Sequence, residues 1–169
     1  SAASDVYKRQ IVYDKEGNEI DQYVSTNSNR LSVGMDEIPD YLGKAFVAIE
    51  DQRFYQHNGI DVKGILRAGY QFLKTGGEEA QGASTITQQL LKNTVFTDWT
   101  SEGNNKIKKI KRKIQEQYLA LEITKYYSKD EILLRYMNAI NLGQNTLGVE
   151  SASLRYFGKH CSDLTISEC

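Results

Sequence analysis

A mainly α fold with a short extended segment near the N-terminus is predicted by three observations. Apolar residues recur at three- and four-residue spacing from residue 36 onward. Helix-start residues stand before several of those runs, at Asp61, Ser84 and Ser128. A strand–turn–strand pattern is confined to residues 11–20, and a chain with one proline and eleven tyrosines suits helices better than a turn-rich sandwich.

Taken in order, residues 1–10 have no pattern and read as a non-native tail. Ile11–Asp14 and Glu19–Ile20 flank an Asp/Gly/Asn turn, and Arg30–Val33 reads as another extended piece, so residues 11–36 form a linker or hairpin segment. From Asp36, Ile38, Leu42, Ala45, Phe46 and Ile49 form an apolar stripe that ends on Glu50. Asp61 caps a helix carrying Val62, Ile65, Leu66, Phe72 and Leu73, which Gly76 and Gly77 end. Ser84 caps the next helix, through Leu90 and Leu91. A polar loop over 97–105 precedes a long helix with Ile107, Ile110, Ile114 and Leu121 on one side. Ser128 and Glu131 make a capping box for a helix expected to stop near Gly143. A last helix over 149–157 closes at Gly158.

The 169 residues suffice for one domain with a core. Twenty-one basic and 22 acidic residues give a net charge of −1, which argues against a general nucleic-acid binder. Two cysteines, Cys161 and Cys169, are too few for a disulfide scaffold and read as a buried thiol and a chain-end residue. No run is apolar enough to span a bilayer, and neither a signal peptide nor an initiator methionine is visible, so the chain reads as a fragment.

Three stretches carry chemistry. In EDQRFYQHNG, residues 50–59, two carboxylates end an apolar face and Arg53, Phe54 and His57 follow within two turns. A carboxylate at a poorly solvated position suits general-base work. The ordinary alternatives are local ion pairing for Glu50 and Asp51, hydrogen bonding for His57 and core packing for Phe54. In GASTITQQL, residues 82–90, hydroxyls, amides and free N–H groups at a helix start suit phosphate oxygens, with Lys92 two turns on from Ser84. A plain capped helix would look the same. Residues 106–113 hold six basic groups and lead to Glu116, at same-face spacing from Arg112 and Lys113. That run is a solvated face or a surface for diphosphate and acidic lipid. Metal-ligand clusters, nucleophile elbows and glycine-rich nucleotide loops are absent from the sequence.

In order, these stretches resemble the first three motifs of the peptidoglycan glycosyltransferases, glycosyltransferase family 51. That family comprises the transglycosylase domains of class A penicillin-binding proteins and their monofunctional relatives. KDEILLRYMNAINLG at 129–143 is similar to the fourth motif and GVESASLRYFGK at 148–159 to the fifth. Leu142–Thr146 departs from the family's aromatic, glycine-rich stretch, and Ala83 from its usual glycine. The resemblance implies a lysozyme-like, two-lobed helical domain over 37–169, truncated at its C-terminus, with a membrane-facing small lobe. It implies polymerisation of lipid II into β-1,4 glycan, with inversion and release of undecaprenyl diphosphate. Glu50 matches the general base and Glu116 the second carboxylate, which orients the donor, assists departure or holds a divalent ion (Mg or Mn), although no cofactor is required. Asp51, Phe54, His57, Ser84, Thr85, Gln88, Gln89, Lys92, Arg112, Lys113 and Asn138 match substrate-binding positions. The implied partners are lipid II, the growing glycan, the membrane surface, a fused transpeptidase domain and the cell-wall synthesis machinery, with no nucleic acid. The implied location is the outer face of the bacterial cytoplasmic membrane, anchored by an N-terminal span outside this chain. Two rivals remain: a lysozyme-like glycan-cleaving enzyme, and a non-catalytic module that binds anionic lipid through residues 106–113.

Overall fold

A computed structural model describes residues 11–13, 19–22, 31–75, 82–96, 105–144 and 146–169. The expected tail at 1–10, the glycine pair Gly76–Gly77 and loop residues 97–104 lie outside them. Strands β1 (Ile11–Tyr13) and β2 (Glu19–Gln22) pair antiparallel, Ile11 opposite Gln22, with an irregularity after Val12. Among the described residues six α-helices follow: α1 (Asp40–Glu50), α2 (Val62–Lys74), α3 (Ile86–Thr94), α4 (Lys106–Tyr126), α5 (Lys129–Ala139) and α6 (Val149–Phe157).

α5 is the central helix. Ile132, Leu133, Tyr136, Met137 and Ala139 are all buried, and α3 lies between α5 and α4. Around them pack Ile38, Leu42, Phe54, Ile86, Leu90, Val149, Cys161 and Leu164. The Ser128–Glu131 capping box is present, Asp61 caps α2 through Gly64 N–H, and α6 ends on Gly158 in the left-handed conformation.

Several expectations change. α1 starts at Asp40, not Asp36, because Pro39 drives Ile38 out of the helical region, leaving a separate 3-10 turn at Met35–Glu37. Leu31 and Val33 form no strand. Their N–H groups go to the side chains of Ser151 (3.0 Å) and Asn138 (3.0 Å). The cap of α3 is Thr85, one residue later than Ser84, in a capping box with Gln88. α5 stops at Ala139 rather than near Gly143. There the chain reverses through an Asn141–Leu147 bridge, and Gly148 N–H donates to Ile140 C=O (2.8 Å). Gly148 sits at φ +84 against Asn138, whose carbonyl oxygen would lie 2.8 Å from an added Cβ, so the reversal needs glycine.

The largest departure concerns apolar stripes. Ile49 is 78% exposed, and Val62, Leu66, Phe72 and Leu73 of α2 are likewise exposed. So are Ile107, Ile110 and Ile114 of α4, which line a shallow apolar groove with Lys111 and Gln115. Helical period identifies an apolar face but not what covers it, and contiguous uncovered faces mark surfaces for membranes or other molecules. Among the described residues no helix is long and apolar enough to cross a membrane. Both cysteines are free, Cys161 buried and Cys169 partly so.

Candidate active site

The site is built where the C-terminus of α1, the start of α3 and the middle of α4 meet. Asp51 breaks α1 and turns its carboxylate inward, 6% exposed. It accepts His57 Nε2 (2.8 Å) and the backbone N–H of Ile86 (3.0 Å). The latter is a first-turn donor of α3 that helix geometry leaves without an intrahelical partner. The adjoining elbow is closed by Arg53, which engages Asp61 through Nε and Nη2 and holds that carboxyl below the usual range. Thr85 Oγ1 donates to Gly59 C=O (2.7 Å), tying the elbow to α3 a second time.

Phe54 is fully buried under this elbow, with Lys129 Nζ 4.6 Å from its ring centroid. Burial lowers the Lys129 pKa, opposed by the nearby charge of Asp51. Gly59 touches α4 directly: an added Cβ would lie 2.2 Å from Ala120 O.

On this frame two adjacent glutamines of α3 reach the two carboxylates. Gln89 Nε2 donates to Glu50 Oε2 (3.0 Å), and Gln88 Nε2 donates to Glu116 Oε1 (3.3 Å). Their surroundings differ. Glu50 is exposed, so the poor solvation expected at the end of its stripe is not present. Glu116 is 1% exposed and receives Lys113 Nζ (2.6 Å) and Arg112 Nη1 (2.9 Å). Lys113 Nζ also donates to Ser84 Oγ (2.7 Å). Lys92 stands one turn beyond Gln88 on α3, partly buried. The basic run therefore divides: Lys106, Lys108, Lys109 and Lys111 are exposed, whereas Arg112 and Lys113 turn onto Glu116.

Five expected ligand contacts are frame instead. Asp51, Phe54, His57, Thr85 and Gln88 have their side chains buried or committed to the protein. Asn138 is another correction. It is buried, accepts Val33 N–H and donates to Val33 C=O (2.9 Å), so it clamps the N-terminal segment to α5. The start of α3 is also less open to anions than expected. Ile86 N–H goes to Asp51 and Gln88 N–H to Thr85 Oγ1. Cations and the Ser84 hydroxyl remain as the groups suited to a phosphate. For a divalent ion at Glu116 the donor set does not fit, because both oxygens are engaged by cations and an amide. Among the described residues no cluster of three His, Cys, Asp or Glu side chains is suited to a metal.

One participant had no distinguishing signal in the sequence. Tyr136, on the buried face of α5, donates its hydroxyl to Gln89 Oε1 (3.3 Å). Its ring packs edge-on against Phe46 at 5.6 Å, like any core aromatic.

The transglycosylase family profile matches residues 16–169. Penicillin-binding protein 1A of Clostridium perfringens strain 13 is 48% identical over 162 residues, covering 94% of this chain and 22% of that protein. The protein of the same name from Clostridium botulinum strain Langeland is 46% identical over 162 residues, 94% of this chain and 18% of the relative. Penicillin-binding protein 1F of Bacillus subtilis strain 168 is 40% identical over 157 residues, 93% and 20% respectively. The chain thus spans about a fifth of the length of the curated relatives it matches.

Proposed function

Because this chain belongs to the transglycosylase family and is a glycosyltransferase domain, we propose that it polymerises lipid II at the outer face of the bacterial cytoplasmic membrane. The acceptor is a GlcNAc 4-hydroxyl and the donor a MurNAc carried on undecaprenyl diphosphate. The hydroxyl oxygen attacks the donor anomeric carbon while Glu50 takes its proton. The C1–O bond to diphosphate breaks, its electron pair leaves with the phosphate oxygen, and the α-linked donor becomes a β-1,4 link by inversion.

The observation that carries this reading is the pair Gln88–Gln89. Adjacent residues hold an exposed carboxylate, free to receive a proton, and a buried carboxylate surrounded by cations. The leaving group is already anionic, so it needs cations aimed at it more than a proton donor. Arg112 offers a planar fork and Lys113 a point charge, with the Ser84 hydroxyl beside Lys113 and Lys92 further along α3. Glu116 keeps those cations in place, and no step requires a resident metal. Glu50, exposed in the free protein, becomes a stronger base when bound sugar and lipid exclude water. The uncovered apolar faces of α2 and α4, with the lysines of α4 alongside, suit a membrane surface. An N-terminal membrane span, a fused transpeptidase domain and the cell-wall synthesis machinery are partners proposed for the whole protein.

The test uses the chain completed from its full reading frame. Wild type should polymerise lipid II and leave preformed glycan intact. Glu50→Gln should abolish polymerisation while lipid II binding persists. Cleavage of preformed glycan would favour the hydrolytic reading. Lipid binding without polymerisation by wild type would favour a binding module, and activity surviving in Glu50→Gln would remove the base assignment.

A further inference from the structure

We propose that Tyr136 is a positioning residue for Glu50, acting through the side-chain amide of Gln89. The inference rests on the reading of Glu50 as the base. Three groups from three helices form one directed chain: the Tyr136 hydroxyl donates to Gln89 Oε1 (3.3 Å), and Gln89 Nε2 donates to Glu50 Oε2 (3.0 Å).

The direction follows from the inventory of donors. An ionised carboxylate only accepts, so Gln89 must turn its NH2 toward Glu50 and its carbonyl oxygen away. The group that meets that oxygen must donate, and Tyr136 does. Burial, and secondarily the charge of Glu50, push the Tyr136 phenol up, so it remains a protonated donor across the working range.

The mechanical asymmetry supports the same assignment. Glu50 is exposed at the last residue of α1, and Gln89 is only partly buried, so neither is fixed by packing. Tyr136 is fully buried in the middle of α5 with its ring set against Phe46. It is the rigid end of the chain. Anchoring Gln89 at its oxygen limits the rotamers of a long side chain and keeps the amide over one oxygen of the base. The other oxygen, Oε1, is left to meet the acceptor hydroxyl.

Several nearby charged groups have partners of their own. Asp51 faces inward to His57 and Ile86 N–H, Lys129 lies against Phe54, and Arg112 and Lys113 of α4 bind Glu116. Gln89 of α3 presents a neutral amide to Glu50, and its carbonyl oxygen is held by Tyr136.

The experiment is Tyr136→Phe, which keeps the ring and removes only the hydroxyl, with Gln89→Ala and the double variant, in the completed chain. NMR relaxation of the labelled Gln89 side-chain NH2 group reads the effect without reference to activity. Loss of the Tyr136 hydroxyl frees the Gln89 carbonyl oxygen and should make the Gln89 side-chain amide more mobile. Polymerisation kcat should fall about tenfold with the KM for lipid II nearly unchanged, as expected when a reacting group is misplaced. The double variant should turn over like Gln89→Ala alone, because both substitutions cut one chain. Unchanged Gln89 amide mobility in Tyr136→Phe, or additive losses of kcat in the double variant, would overturn the proposal and leave Tyr136 as core packing. Failure of the base assignment is separate: it would appear as activity in Glu50→Gln, whatever the Gln89 amide shows.

Discussion

Gly59→Ala tests whether the elbow and α4 must touch for the site to form. The residue has φ +104, and an added Cβ would stand 2.2 Å from Ala120 O, 2.6 Å from Ala120 C and 2.8 Å from Thr124 Oγ1. Two of the three are backbone atoms in the middle of a 21-residue helix and cannot rotate away. The left-handed backbone costs an alanine about 1–2 kcal/mol, and forced overpacking adds about 1–3 kcal/mol. A less flexible unfolded chain returns about 0.4–1 kcal/mol. The net loss is about 2–4 kcal/mol, which for a chain of this size lowers Tm by about 4–16 °C. Thermal melts followed by circular dichroism measure it. Gly69→Ala is the control, since nothing lies within 4 Å of its added Cβ and mid-helix alanine should stabilise by about 0.5–1 kcal/mol. Polymerisation should fall further than Tm alone explains, because Gly59 C=O also anchors Thr85 beside Gln88. A Gly59→Ala protein melting within about 2 °C of wild type would refute the close-contact argument.

Three further outcomes follow from the same geometry. Asp51→Asn can keep one oxygen for Ile86 N–H but sets an NH2 against His57 Nε2–H, donor facing donor at 2.9 Å, and should cost about 1–3 kcal/mol as a lower urea midpoint with unchanged slope. Lys113→Ala leaves the buried Glu116 to Arg112 and Gln88 and should cost about 1–3 kcal/mol of stability, while slowing the proposed lipid II polymerisation tenfold or more. Stability should also show two pH limbs set by the Glu150–His160 pair (2.5 Å). Glu150 raises the His160 pKa above 6.5, so this stabilisation is complete below 6.5 and is lost as pH rises through the folded value. Burial pushes Glu150 up, but Cys161 N–H and His160 bring it net below 4.5. Its share is therefore present above 4.5 and lost as pH falls through that lowered value. His160→Ala should flatten the high-pH limb of a Tm–pH curve, and an unaltered limb would exclude the pair as its source.

Local chemistry alone determined the helical class, the cap at Asp61, the capping box at Ser128 and Glu131, and the closure at Gly158. Each of these joins neighbours within one turn, so spacing carries the information. The spacing of Arg112, Lys113 and Glu116 was legible for the same reason, and the ordered motifs marked both carboxylates. Only the tertiary structure decided which side chains face a ligand and which hold the frame. Asp51 meets Ile86 across 35 residues, Gln89 meets Glu50 across 39, and Asn138 meets Val33 across 105. Tyr136 looks like any apolar-face aromatic until its hydroxyl is seen beside Gln89. Periodicity likewise showed that α2 and α4 have apolar stripes, but whether another helix covers them is settled by packing. A sequence displays a side chain's chemistry and its face; what stands opposite depends on contacts between distant segments, which no local pattern encodes.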